Sequence, residues 1–167
     1  MEENDVTSGA RKTVAKKLAL KLLSDAGITA APVQLPQIIR FLQETRNLEV
    51  VSSPFPISIS GLLVRCNDLD MESLTIGFNQ NEPWCRRRFT IAHEIGHILM
   101  NHASCDRGNE TSHKETEANV FASELLLPTK ILKEDFSKIQ NIPELSKKYL
   151  VSQLAMGIKL SQGSFLK

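Results

Sequence analysis

Apolar residues follow a helical period in the first quarter of the chain, alternate near its middle, and return to the helical period afterwards. Over residues 11–26, Val14, Leu18 and Leu22 make a stripe opposite Arg11, Lys12, Lys16 and Lys21, which predicts an amphipathic helix capped by Gly27. Ile39, Phe41 and Leu42 predict a second helix over 36–46. Residues 48–51, 57–65 and 73–78 read as strands; Pro54 and Pro56 interrupt the first pair, and the polar Asn67-Asp68-Leu69-Asp70 joins the second. Phe89, Ile91, Ala92, Ile95, Ile98, Leu99 and Met100 leave little polar surface between Arg88 and Asn101, as in a buried helix. Ala118, Phe121, Ala122, Leu125 and Leu126 then mark a helix over 115–127 that Pro128 closes, and shorter helices are expected over 130–139, 143–149 and 152–160. The pattern predicts an α+β fold, mostly helical, with a small antiparallel sheet of about three strands packed on the apolar helix. The expected layout is one domain over 1–140, with 1–10 disordered, helices over 11–47, the sheet over 48–79 and two chemistry-bearing helices over 83–128. Residues 141–167 are expected to form a small C-terminal helical element.

Within the apolar helix, His93 and His97 stand four apart, so their imidazoles leave one face and can converge on a single ion. Glu94 is rotated about 100° away, free to hold a water without ligating. Neutral imidazoles suit zinc, and a catalytic zinc keeps three protein ligands plus an open position whose water has a pKa of about 7. Glu94 is then the general base, and a metallopeptidase is the leading reading. Two core histidines on an apolar helix are the plainer alternative. Gly96 costs roughly 1 kcal/mol against Ala in a helix, and its bare face would let another element approach closely.

A third ligand is needed. Met100 and Ala103 stand where a metzincin extension requires Gly and His, so the ligand must come from elsewhere. Glu115 and Glu117 open the next helix but point to different faces, so at most one reaches the metal. His102 and Cys105 could compete for zinc, and His113, Arg88 or Tyr149 could stabilise an oxyanion, though spacing selects none of them. The run Arg86-Arg87-Arg88 reads equally well as an acidic-substrate grip or a solvated helix start. The strand over 73–78 is the candidate sheet edge for holding an extended peptide, weighed evenly against an edge that is simply exposed or covered. Residues 144–155 loosely resemble a helix-turn-helix with Ser152 as N-cap. The second helix offers mainly Gln153 and Lys159 for base reading, which favours a packing or docking role.

Arg88-Phe89-Thr90-Ile91-Ala92-His93-Glu94-Ile95-Gly96-His97, then Glu115-Thr116-Glu117-Ala118-Asn119-Val120-Phe121-Ala122-Ser123-Glu124-Leu125-Leu126-Leu127-Pro128, resembles the ImmA/IrrE family of zinc metallopeptidases. Leu127 is the one departure, in place of the usual Met, a volume-conserving change. The likeness extends upstream to Ile59-Ser60-Gly61-Leu62 and covers most of 28–128. It implies a zincin-like fold, one Zn2+ held by His93, His97 and Glu115, and Glu94 as the catalytic carboxylate. Glu115 is preferred to Glu117 as the first Glu of the second motif. Asn119, one turn on, reads equally well as a hydrogen-bond partner of a ligand and as an amide bonding only solvent. The resemblance further implies cleavage of a helix-turn-helix transcriptional repressor, relieving repression of a mobile element or stress response.

Composition narrows this little. A chain of 167 residues, 41% hydrophobic, can bury one sizeable core. Its formal net charge of +1 gives no global field to draw it onto nucleic acid or anionic lipid, and direct nucleic-acid binding is not expected. Cys66, Cys85 and Cys105 form no CxxC pair, and the acidic start lacks an apolar signal core, which points to a reducing cytoplasm. No run of 18 apolar residues is available to span a membrane. The sequence thus predicts a cytoplasmic zinc endopeptidase acting on a protein substrate, the alternative being a metal-containing regulator that binds a repressor or DNA without hydrolysis.

Overall fold

Two strands flank a more apolar third one, and the helices pack mainly on one another, with one of them lying on that central strand. A computed structural model describes residues 4–69, 71–102, 109–163 and 165. In chain order the elements are α1 (Asn4–Asp25), α2 (Leu35–Gln43), β1 (Asn47–Ser53), β2 (Gly61–Asp68), β3 (Met71–Asn79), α3 (Trp84–Leu99), α4 (Asn109–Leu126), α5 (Thr129–Phe136), α6 (Ile142–Tyr149) and α7 (Gln153–Gln162). The expected α+β, largely helical architecture is present. Cys105 and Asp70 lie outside the described residues, as do residues 1–3.

The sheet is mixed, not antiparallel as expected. Its order is β1-β3-β2; β1 runs parallel to β3 with Val50 opposite Ile76, and β2 runs antiparallel with Leu63 opposite Ile76. Strand β3 is therefore the centre of the sheet and not its edge, which corrects the expected peptide-holding strand. The burial pattern gives the reason: β3 buries Leu74, Ile76, Gly77 and Asn79, whereas β1 buries only Leu48 and β2 buries no residue fully. The strand with the most apolar side chains to cover takes the doubly paired position.

Residues 57–60, expected as strand, form a turn and lead-in instead, with the Ile59 N–H donating to the Pro56 carbonyl at 2.9 Å. The buried Asn79 aims its amide nitrogen at the carbonyls of Phe55 (3.0 Å), Pro56 (3.3 Å) and Ile59 (3.0 Å), pinning that segment to the sheet end.

Helix α1 starts at Asn4, ahead of the expected residue 11, and its buried face is Ala15, Ala19, Leu22 and Leu23, while Val14 is exposed. The apolar stripe is thus displaced by one position from the expected one, because alanines let α1 lie close against α4. Gly27 ends the helix at φ +69, with Ile28 N–H returning to the Leu23 carbonyl. Helices α6 and α7 are joined by a short turn with Leu150 left-handed at φ 57, and Ser152 caps α7 through the Ala155 N–H. Lys159 of α7 reaches Glu124 of α4 at 2.6 Å, and Glu124 also accepts from Thr129 N–H and its hydroxyl, both at 2.8 Å. Tyr149 and Lys148 both donate to Asp135, tying α6 to α5.

Candidate metal centre

Helices α3 and α4 pack at Gly96. A Cβ there would lie 3.1 Å from Phe121 Cδ1 and 3.2 Å from Ala118 Cα, so the missing side chain lets the two helices approach closely. The start of α3 is held by buried Arg88, which donates to the Val33 carbonyl at 2.9 Å and lies 5.0 Å from the Trp84 ring. Arg65 of β2 holds the other end, donating to the His97 carbonyl at 3.2 Å.

Between these anchors, one donor atom each from His93, His97 and Glu115 come together within 4.8 Å. His93 Nε2 and His97 Nε2 are 3.0 Å apart, and each lies 3.2 Å from an oxygen of Glu115. Tetrahedral zinc with bonds of about 2.0–2.1 Å sets its donors about 3.3 Å apart, so the spacing fits such an ion. The outward nitrogens are engaged: His93 Nδ1 lies 2.9 Å from Asn119 Oδ1, and His97 Nδ1 lies 2.8 Å from His102 Nδ1. The Nε2 lone pairs are thereby directed toward one another and toward a carboxylate, an electron-rich arrangement that a divalent cation would relieve. These residues fit a metal.

Glu115 and Glu117 point in different directions. Glu117 is buried on the far side of α4, accepting from His102 Nε2 at 2.9 Å and from Arg11 Nε at 2.9 Å. His102 is likewise buried and stands behind His97, not among the converging donors. The sequence offers it only as a competing zinc ligand, a role that its place behind His97 does not fit. Asn101, left-handed at φ 53, reverses the chain so that His102 folds back on His97. An Asn just after an apolar helix was the one available signal. Arg11 gave none.

Glu94 lines an open cleft of about 590 Å³ with both histidines, Glu115 and the edge strand β2 at Gly61 and Leu63. Burial and then the nearby Glu115 charge push its carboxyl up to about 7. Burial, then His93, His102, Arg65 and Lys114, push the His97 imidazole down to about 3, keeping it neutral. Burial also lowers His102. Among the proposed oxyanion groups, Arg88 is turned to Val33 and Tyr149 to Asp135, and His113 is exposed and outside the cleft lining. Of the arginine run, Arg86 lines the cleft and bonds Ser60 Oγ at 3.2 Å.

No curated protein matches this chain. A solved structure of a Mycobacterium tuberculosis transcriptional regulator superposes with a TM-score of 0.68 at 17% identity, covering 89% of this chain and 46% of that one. The chain spans about half the length of that relative, and at this identity the likeness is one of fold. None of the helices described is long and apolar enough to cross a membrane. A profile of the IrrE N-terminal-like domain matches residues 44–161, a stretch holding the three strands, α3 to α6 and nearly all of α7. The chain that brings two histidines and a glutamate together beside a buried carboxylate belongs to the Peptidase M78 family of IrrE N-terminal-like metallopeptidases.

Proposed function

We propose that this protein is a cytoplasmic zinc-dependent endopeptidase that cuts a helix-turn-helix transcriptional repressor at a specific site. The observation that carries the reading is the convergence of His93, His97 and Glu115 beside a cleft-facing Glu94 that is not among the converging donors. A bound divalent cation supplies Lewis acidity to the peptide carbonyl and to water. Glu94 accepts the water's proton on a carboxylate oxygen and passes it to the leaving amine. Asn119 and His102 hold the two imidazoles in place. Strand β2 offers its outer edge beside the cleft, where an extended peptide can pair with its backbone without demanding particular side chains. The repressor as substrate rests on the family resemblance, and the likeness to a transcriptional regulator is compatible with it.

The competing reading, a metal-containing regulator that does not hydrolyse, needs the histidines but no base. Glu94→Gln distinguishes them: we expect stoichiometric zinc and an intact fold, with cleavage of whichever helix-turn-helix protein the wild type cuts reduced at least about 100-fold. Cleavage at the wild-type rate, read by mass spectrometry, would remove Glu94 from the mechanism. Absence of cleavage by wild-type protein, with repressor binding retained, would favour the regulator.

A further inference from the structure

Building on the metal-site reading, we propose that His102, Glu117 and Arg11 form a relay that positions His97 as a ligand, making the N-terminal helix a determinant of metal affinity. The participants come from distant parts of the chain: Arg11 from α1, His97 from α3, His102 from just beyond its C-terminal turn, and Glu117 from α4. Three links of 2.8, 2.9 and 2.9 Å join them in series.

With His97 Nε2 kept for the ion, the protons have one consistent arrangement. His97 Nδ1–H donates to His102 Nδ1, His102 Nε2–H donates to Glu117 Oε2, and Arg11 Nε–H donates to Glu117 Oε1. Each nitrogen and oxygen along the line plays a role it can satisfy. His102 and Glu117 are each only 3% exposed, so bulk water does not readily replace either partner. The backbone supports the same placement, since the His102 N–H donates to the His97 carbonyl at 3.0 Å. Ending on a carboxylate, the series strengthens His97 as a donor and fixes its ring plane. His93, by comparison, leans on the neutral amide of Asn119. Arg11 lies outside residues 44–161, so the last link comes from beyond the stretch that the family profile matches.

Two substitutions at one position test the relay. In His102→Asn the side-chain oxygen takes the place of Nδ1 and keeps an acceptor for His97, whereas in His102→Gln the amide nitrogen takes the place of Nε2 and keeps only the bond to Glu117. Zn2+ and Co2+ dissociation constants would be measured by competition with a chromophoric chelator, alongside the Co2+ visible spectrum and the melting temperature of the metal-free proteins. We expect affinity to fall about 10–100-fold in His102→Gln and less in His102→Asn. Glu117→Ala should weaken binding too, with His102→Gln/Glu117→Ala no weaker than His102→Gln alone, and Arg11→Gln should weaken it several-fold. The opposite order, Gln binding better than Asn, would mean that His102 serves packing against Glu117 and would overturn the relay. Unchanged constants in both variants would do the same. Wild-type protein that binds neither ion would instead defeat the metal-site reading on which the relay rests.

Discussion

Two residues of separation on a helix decide which glutamate faces the paired imidazoles: Glu115 meets them, and Glu117 is turned to His102 and Arg11 on the other side. The motif made this choice legible only through resemblance, because both carboxylates open the same helix and spacing alone allows either. His97 carries a consequence for pH. Its folded pKa of about 3 lies below the unfolded value of about 6.5, so between them the unfolded chain binds more protons. Its contribution to metal-free stability is full above about 6.5 and is lost as pH falls toward about 3, by at most about 1.4 kcal/mol per pH unit. Denaturant titrations of metal-free protein at pH 7.5 and 4.5 should show wild type losing more stability than His97→Gln; equal losses would contradict the buried, neutral imidazole.

At the scale of elements, glycines bring the site together. Gly96 was legible as a bare helix face, and α4 fills it with Ala118 and Phe121. Gly61 does the same for the edge strand: a Cβ there would overlap Thr90 Cγ2, lie 2.8 Å from the Gly77 carbonyl oxygen and come within 3.6 Å of Glu94 Oε1. Gly61→Ala must therefore push β2 away from α3, with strain of about 1–3 kcal/mol. We expect kcat/KM to fall at least about tenfold while zinc content stays stoichiometric. Retained activity in that variant would show that peptide does not depend on the position of β2. Strand existence was readable from alternation, but strand order was not. β3 adjoins α3 in sequence and looked like an edge, yet its two neighbours are decided by which strand has most apolar surface to bury.

Across the whole molecule, the C-terminal helix pair α6 and α7 is fastened to α4 by a charge pair that is almost fully buried, Lys159 with Glu124. Gln153 and Lys159 are too few for base reading by sequence, which favours a packing or docking role; the structure buries Lys159 and leaves Leu154 and Ile158 exposed on α7. Lys159→Met leaves a buried carboxylate with Thr129 alone, which should cost about 3–5 kcal/mol. Adding Glu124→Gln removes the charge and keeps the acceptor for Thr129, so the double variant should recover at least about half of that loss in chemical denaturation. No recovery would mean that the pair acts through shape and not charge. The sequence alone determined the helices and strands by period, the His93, Glu94 and His97 set by its spacing on one helix, and the family. Tertiary structure alone decided the mixed sheet, the edge beside the cleft, the face taken by each glutamate and the line from Arg11 to His97. The division has a physical cause: local periodicity fixes which side chains share a face of one element, whereas the partner across the gap depends on how buried area and polar satisfaction are shared among elements distant in the chain.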